Sequence, residues 1–258
     1  MDRLVSKKQS GITSNALHTW GMLFLAAGII GRSIFQNQLL GAVGLNTQQL
    51  LAAMDASENA MLYATIGLVM QAMETCAIPI FACLLVDGWK YTSSRKAYAL
   101  RVLGLALLSE LPYNLAIGGK LFDLSSRNPV FGLLLAMVVL YLFGLYSEKK
   151  LKNTLIKLAV TLAALLWASM LKIEYGGATV ILTAVLWAYR DNTLMRNMAG
   201  ATGAIVCMLY SPLFLVAPMG MLAVHIYNGE KGEDNRLVNY LAYPATLLAV
   251  GISGMLFL

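Results

Sequence analysis

The sequence predicts an all-α membrane protein, a polytopic bundle of transmembrane helices in a single integral membrane domain that spans residues 1–258. Apolar residues make up 59% of the chain and charged residues only 12%, and the mean hydropathy is +0.68. A soluble domain is typically about half apolar and about a quarter charged. The apolar residues also fall in runs of roughly 20, the length that crosses the hydrocarbon core as a helix. We therefore expect a lipid bilayer around the chain and about nine spans.

Four spans are predicted in the first part of the chain, and the first begins where Ser14 can cap a helix. The segment Gln36–Asn59, between the first two spans, is only moderately apolar and has no basic residue. We expect it to be an external amphipathic or re-entrant piece, and a candidate lid, because backbone at membrane depth needs protein around it. The four spans are Asn15–Phe35, Met61–Gly88, Ala97–Gly118 and Pro129–Tyr146.

Five further spans are predicted in the second part. The run 197–228 is too long for one straight span and has Ser211 and Pro212 in its middle. Proline lacks the amide hydrogen that a helix interior needs, so we expect this run to divide into two short helices. The other spans of this part are Leu155–Leu171, Tyr175–Tyr189 and Asn239–Leu258.

The positions of the basic residues predict the orientation. With the N-terminus in the cytoplasm, 13 of the 19 lysines and arginines fall in cytoplasmic segments and three in external ones. Basic residues concentrate in the cytoplasmic loops of membrane proteins, which accounts for the net charge of +6. We therefore expect no nucleic acid as a partner. We also expect no metal, because no metal-ligand spacing is present.

The stretch Pro79–Ala116 and the residues around it are unusually polar for membrane helices. Glu74 and Glu110 each lie about 20 Å from the cytoplasmic end of their helices, so both carboxylates reach a similar depth. Ionisable groups at that depth are candidates for function. We expect the two acids to support proton transfer, with Glu110 as the catalytic base and Glu74 in the substrate site. Two alternatives stay open: separate neutral acids bonded to neighbouring helices, or an ion pair of one acid with Arg32.

Further polar residues near these acids are candidates for binding substrate. Pro112 bends the helix just after Glu110, and Asn114 lies on the same face as that acid. Arg101 lies about one turn inside the cytoplasmic end of the third span, next to a basic rim that suits the phosphates of a coenzyme. Ordinary enrichment of positive charge in cytoplasmic loops explains the same rim. The rim consists of Lys90, Arg95 and Lys96, and Asp87 is expected to face it.

The two histidines, His18 and His225, lie near predicted cytoplasmic helix ends. A hydrogen-bonded interfacial side chain is a more usual role for such a histidine than a catalytic base. The three cysteines fall inside predicted spans, where cysteine behaves as a small apolar side chain. None of these residues is therefore among the predicted catalytic groups.

The hairpin resembles the TraX-like family of integral membrane proteins, named for the conjugation protein that acetylates the pilin N-terminus. The resemblance includes Gly11–Leu17, covers a core region of residues 14–147 and leaves residues 155–258 as additional helices. It implies a bacterial inner-membrane acetyltransferase with acetyl-CoA as donor and a peptide or small molecule as acceptor. The matching residues are Pro79, Ile80, Phe81, Ala82, Leu84, Leu85, Val86, Asp87, Gly88, Thr92, Arg95, Tyr98, Arg101, Ala106, Leu107, Leu108, Ser109, Glu110, Pro112, Asn114, Leu115 and Ala116.

The chain departs from the family pattern at several positions. The first helix of the family carries an Asp-His pair where this chain has Gly28 and Ile29. Thr75 replaces an arginine of the family, and Tyr91 replaces the histidine of a His-Thr motif. Arg127 and Asn128 stand where the family has Gln-Asn. By resemblance, Tyr91 and Asn128 join Asp87, Arg101 and Asn114 as predicted substrate-binding residues.

Three hypotheses for function follow. The first is a membrane acyltransferase that moves an acetyl or related group from acyl-CoA to an amine or hydroxyl. The second is a catalytically silent TraX-like subunit that binds a membrane protein partner in an envelope or export complex, which the loss of the Asp-His pair favours. The third is a small proton-coupled transporter that uses Glu74 and Glu110, for which paired broken helices are expected.

Overall fold

The computed structural model describes residues 11–42, 45, 47–55, 59–148, 150–233 and 236–256, which form helices and short connections without a β-strand. The prediction of an all-α fold is confirmed. The basic residues of segment 1–10, Lys149, Glu58 and the last two residues of the final predicted span lie outside these ranges. Five helical stretches in the described part are long and apolar enough to cross a membrane: Ser14–Leu39, Ala60–Tyr91, Arg95–Gly118, Leu151–Met170 and Leu237–Gly254. Nine spans with a cytoplasmic N-terminus stay a prediction.

The first helical stretch, which begins with α1 (Ser14–Ile30), starts one residue earlier than expected and continues past the predicted end at Phe35. Its cap is Thr13, whose hydroxyl accepts a hydrogen bond from the amide of Ala16 at 3.3 Å. Beyond α1 the chain continues as a π-helical segment, Gly31–Leu39. The predicted external segment therefore begins inside this first long stretch, and its remainder contains α2 (Thr47–Asp55).

The second predicted span is interrupted near its middle. It consists of α3 (Ala60–Glu74) and α4 (Ala77–Tyr91), with the break at Thr75. Pro79 has no amide hydrogen to donate to the carbonyl of Thr75. That carbonyl instead accepts a hydrogen bond from the amide of Ile78, three residues later, at 3.2 Å. The break leaves Glu74 at the end of α3, beside α1.

Helix α1 packs closely against α3 and α4 because glycines form its contact face. A Cβ at Gly21 would lie 2.9 Å from the ring of Phe81, and a Cβ at Gly28 would overlap the side chain of Glu74. These glycines are seven residues apart, two turns along one face of the helix. Small residues in such positions allow membrane helices to approach each other closely.

The remaining helices complete the bundle. The expected division of 197–228 into two short helices is confirmed, since α9 and α10 are separated by 3₁₀ turns at Cys207–Leu209 and Pro212–Leu215. Helix α5 packs most extensively against α11. In chain order the helices are α5 (Arg95–Gly118), α6 (Val130–Leu145), α7 (Leu151–Met170), α8 (Gly176–Ala188), α9 (Thr193–Val206), α10 (Pro218–His225) and α11 (Arg236–Leu256).

Backbone hydrogen bonds group the connections at two ends of the bundle. At the end that we call the N-terminal end, the amide of Ser14 donates to the carbonyl of Glu230 at 2.7 Å. Lys90, at the end of α4, pairs there with Asp191 at 3.0 Å. At the opposite end the amide of Arg127 donates to the carbonyl of Lys172 at 2.9 Å. Connections that the charge pattern assigns to the same side of the membrane therefore lie at the same end of the bundle and contact each other.

Candidate functional site

Two cavities enter the bundle from its opposite ends. The larger, of about 800 Å³, opens at the N-terminal end and is lined by residues of α1, α4, α5, α6 and α11. A smaller cavity of about 480 Å³ opens at the other end, next to the turn between α7 and α8. The larger volume lies in the range of small-molecule and cofactor sites.

The outer part of the larger cavity, which we call the mouth, is polar and carries positive charge. Arg101 on α5 and Lys231 in the connection before α11 both line it. The guanidinium of Arg101 lies 5.9 Å from the centre of the Tyr98 ring, and its Nε donates to the carbonyl of Ala97 at 3.3 Å. Other polar residues of the mouth are Asn15, Asp87, Tyr91, Tyr227, Asn239 and Tyr240.

The inner part of the same cavity, which we call the apolar shaft, is lined by hydrocarbon. Its walls are the side chains of Met22, Leu25, Ile78, Phe81, Val130 and Leu133. Thr179 of α8 and Tyr243 of α11 supply hydroxyl groups at its floor. A polar mouth above an apolar shaft suits an amphiphilic ligand with a charged head.

His18 lies at the boundary between the mouth and the apolar shaft. Asn15, about one turn before it on α1, lines the mouth, and Met22, about one turn after it, lines the shaft. The ring of His18 meets the ring of Phe81 edge to face, with 5.5 Å between the centroids. The imidazole thus faces the cavity at the level where the lining changes from polar to apolar.

Asp87 lies in the mouth with an arginine partner that its position in the sequence does not reveal. Its carboxylate is 3.6 Å from Arg196 of α9, which is itself nearly buried. The hydroxyl of Tyr227 donates a hydrogen bond to Asp87 and also contacts Ser14. Burial and the nearby carboxylate raise the pKa of Tyr227, so this phenol keeps its proton.

The three lysine and arginine residues of the predicted basic rim point elsewhere. Lys90 is bound to Asp191, and the guanidinium of Arg95 lies 5.3 Å from the centre of the Trp89 ring. Neither they nor Lys96 belong to the lining of either cavity. Of the predicted substrate-binding residues, Asp87, Tyr91 and Arg101 line the larger cavity.

Glu74 belongs to a buried ionic group beside the smaller cavity, which we call the Arg32 cluster. Arg32 pairs with Glu74 at 3.0 Å and with Glu174, and it also binds the hydroxyl of Tyr175 at 3.1 Å. Tyr113 donates to Glu174 at 2.5 Å. Glu74 and Glu110 are not brought together. The structure has the alternative arrangement, in which Arg32 forms an ion pair with Glu74. The cluster consists of Arg32, Glu74, Tyr113, Glu174 and Tyr175.

Glu110 has a separate set of partners. Its carboxylate accepts hydrogen bonds from Arg127 at 3.1 Å and from the side-chain amide of Asn128 at 2.6 Å. Asn128 in turn accepts from the amide of Val130 at 3.0 Å, which caps the start of α6. Asn114 is buried nearby, and its Oδ1 has no hydrogen-bond partner among the described residues. Glu110, Asn114 and Asn128 line neither cavity.

A comparison with known protein families identifies the family to which this chain is related. A family model described as "TraX protein" matches residues 47–253, which is most of the chain. The chain belongs to the TraX family. The TraX match runs through the last helix, well beyond the first 145 residues in which the resemblance is visible by inspection. No curated protein and no solved structure matches the chain.

The structure explains one departure from the TraX pattern. By the resemblance, Gly28 stands at the position expected for the aspartate of an Asp-His pair, in a part of the chain that the matched range does not include. A side chain at position 28 would collide with Glu74, whose carboxylate fills that space and pairs with Arg32. Position 28 therefore admits only glycine while Glu74 holds this place.

Several residues of both regions are missing from the sequence-based predictions. Glu174 falls between the predicted spans Leu155–Leu171 and Tyr175–Tyr189, but α8 has only 13 residues and is about 20 Å long. Because the hydrocarbon core is about 30 Å thick, the turn before such a short helix lies below the surface. The short apolar run after Glu174 is therefore the sequence feature that could have indicated a position of Glu174 below the membrane surface. His18 and Lys231 carried no comparable signal, since their place in the cavity depends on tertiary packing.

Proposed function

We propose that this protein is a membrane acyltransferase that takes an acyl group from acyl-CoA and transfers it to an amine or hydroxyl. The observation that carries the proposal is the larger cavity, which combines a cationic mouth, a histidine and an apolar shaft in a chain of the TraX family. With the N-terminal end in the cytoplasm, as the distribution of basic residues favours, this cavity opens to the compartment that contains acyl-CoA.

In this proposal Arg101 and Lys231 bind the phosphates of the donor. Arginine forms paired hydrogen bonds with phosphate oxygens, and lysine adds a positive charge. With the phosphates at the mouth, the pantetheine arm places the thioester carbonyl near His18. The hydroxyl groups of Tyr98 and Tyr240 lie along the same path and offer hydrogen bonds to the polar arm.

His18 serves as the general base. Its imidazole removes a proton from the acceptor amine or hydroxyl as the acceptor attacks the thioester carbonyl carbon. The tetrahedral intermediate then collapses, the carbon–sulfur bond breaks, and the imidazolium returns the proton to the departing CoA thiolate. The product is an amide or an ester, and CoA leaves as the free thiol.

Glu110, the base expected from the sequence, is assigned a positioning role in this proposal. Its carboxylate is hydrogen-bonded to Arg127 and Asn128 and lines neither cavity, so it has no direct access to a ligand in the cavity. Through Asn128 it holds the start of α6, whose residues Val130 and Leu133 form part of the shaft wall. The effect of Glu110 on catalysis is therefore indirect.

Calorimetry with CoA tests the donor site. We expect purified protein to bind CoA and the Arg101→Ala variant to bind it about tenfold more weakly, because one charged hydrogen bond to phosphate contributes about 1.5–3 kcal/mol. Arg95→Ala is the matched control, since it removes an arginine from the same helix outside the cavity. Absence of binding up to millimolar CoA, or an equal loss in both variants, contradicts the proposal and favours the silent subunit.

A proton-coupled transporter is a second candidate, favoured by the approach of the two cavities to each other. Thr179 lines the larger cavity and Tyr175 the smaller one, four residues or about 6 Å apart on the same helix. The Arg32 cluster lies between them and contains ionisable groups. Proteoliposomes with an internal pH dye distinguish the candidates: a transporter carries protons across the bilayer when a pH gradient is imposed, whereas an acyltransferase leaves the gradient intact.

A further inference from the structure

The apolar shaft continues well beyond the position assigned to the thioester. Along α1 the cavity lining runs from His18 to Leu25, which is seven residues or about 10 Å of helix. An acetyl group has a single methyl beyond its carbonyl and fills only the top of this length. The remaining shaft would stay empty or hold other apolar material when acetyl-CoA is bound.

The lining of the shaft excludes the polar part of the donor. The walls below His18 are hydrocarbon, and hydroxyl groups occur only at the floor, on Thr179 and Tyr243. The pantetheine arm carries two amide groups, and burying an amide without a hydrogen-bond partner carries a substantial penalty in free energy. The arm therefore stays in the polar mouth, and the shaft below His18 is available to a hydrocarbon chain.

The length of the shaft limits that chain. A carbon–carbon bond is about 1.5 Å long and an extended chain advances somewhat less per carbon, so about 10 Å takes about eight carbons. Tyr243, which is almost fully buried, lines the cavity one turn along α11 from Asn239 and Tyr240 of the mouth, and its phenol lies within electrostatic range of Arg32 and Glu174. A longer straight chain would have to displace this tyrosine and reach the charged cluster.

We infer that the acyl group carried by the donor is a medium-length fatty acyl chain of about eight carbons, held in the shaft below His18. This inference rests on the proposed function, because it assigns the acyl part of the same acyl-CoA ligand. It differs from the acetyl group that the family resemblance implies.

A series of acyl-CoA esters of increasing length tests the inference on the full chain in nanodiscs. Full burial of a methylene strengthens binding by about fourfold, so the six additional carbons of octanoyl-CoA set an upper limit of about four-thousandfold over acetyl-CoA. With partial burial we expect a gain of about a hundredfold or more. Palmitoyl-CoA should gain nothing over octanoyl-CoA, because its last carbons do not fit. Equal binding of acetyl-CoA and octanoyl-CoA overturns the inference but leaves the donor site in place.

Two variants test the position of the acyl chain in the shaft. Leu25→Trp fills the shaft and should reduce octanoyl-CoA binding to about the level of acetyl-CoA binding. Leu23→Trp is the matched control, because Leu23 lies on the same helix and is 63% exposed outside the core. Leu133→Trp, on the facing wall, makes the same test if Leu25→Trp does not fold. Unchanged octanoyl-CoA binding in a folded shaft variant overturns the inference.

Competition with free octanoate separates an acyl donor from a free fatty acid. We expect octanoate to compete at least about tenfold less well than octanoyl-CoA, because it lacks the phosphates that Arg101 binds. Equal competition, together with no effect of Arg101→Ala, overturns the inference and identifies a fatty-acid site. Failure of CoA and of every acyl-CoA to bind overturns the proposed function as well.

Discussion

The Arg32 cluster and the mouth of the larger cavity are both polar regions inside a membrane protein, but their groups are satisfied in different ways. In the cluster, the side chains of Arg32, Glu74 and Glu174 are at most 14% exposed, and each has an oppositely charged partner. At the mouth, the guanidinium of Arg101 lines an open volume, with the Ala97 carbonyl and the Tyr98 ring as neighbours. Intramembrane charge is a default sign of function. The comparison indicates that a cation enclosed by ion-pair partners stabilises the fold, whereas a cation that lines a cavity is accessible to a ligand.

The largest effect is expected from Arg32→Met, which leaves two buried carboxylates without their arginine. Removing one partner of a buried ion pair typically destabilises a protein by about 3–5 kcal/mol. Thermal unfolding of the purified variant in detergent measures the change. Adding Glu74→Gln should restore part of the stability. A variant that unfolds at the parental temperature but has lost acyl transfer would show that the cluster is needed for function and not for stability.

The next effect is expected from His18→Asn, which removes the proposed base from the cavity without a large change in volume. General base catalysis contributes about 10²–10⁴ in rate, so kcat should fall by about that factor while CoA affinity and thermal stability stay the same. His225→Asn is the control, because His225 contacts Asn197 at 3.1 Å and lines neither cavity. An active His18→Asn variant rules out His18 as the base.

Glu110→Gln should have an intermediate effect. The glutamine keeps the shape but loses the charge that binds Arg127, which we expect to lower the free energy of unfolding by about 1–3 kcal/mol. The rate should fall less than in His18→Asn, because the contact of Glu110 with the cavity is indirect. A fall in kcat as large as that of His18→Asn, at unchanged stability, would restore Glu110 as the base.

The smallest effect is expected at Asp123, which belongs to neither region. A hydrogen bond from the backbone N–H of Ser125 holds the pKa of Asp123 below its usual range. Its ionised form therefore favours the folded state above the unfolded pKa of about 4, and this contribution is lost as the pH falls through the lower folded pKa. Asp123→Asn should remove only a few tenths of a kcal/mol at neutral pH, because the group is exposed. A larger shift in thermal unfolding would show that surface charge matters as much as buried charge.

Composition and periodicity were enough to predict the helices, because lipid requires helices that bond all of their backbone groups. The division at Ser211-Pro212 was visible for the same reason. The break at Thr75 had a signal in Pro79, but a proline near the middle of a long apolar run is also compatible with a continuous kinked helix. The sequence therefore predicted Glu74 within this span but not that it ends a helix and faces Arg32.

The candidate site was less predictable than the fold. Arg101, Asp87 and Tyr91 follow from local position and family resemblance, and all three line the cavity. His18 and Lys231 are separated by more than two hundred residues, and they come together only through packing of α1, α10 and the connection before α11. No local sequence pattern predicts that His18 and Lys231 line the same cavity.

The backbone bond between Ser14 and Glu230 has a consequence during synthesis. Ser14 and the neighbours of Glu230, Gly229 and Lys231, line the mouth, yet the ribosome adds about 5–20 residues per second, so roughly 10–40 s pass between the two segments. The first helix therefore waits in the bilayer without its final neighbour while the rest of the protein emerges. A chain that terminates before Gly229 lacks part of the lining, so an incomplete copy cannot form the mouth of the larger cavity.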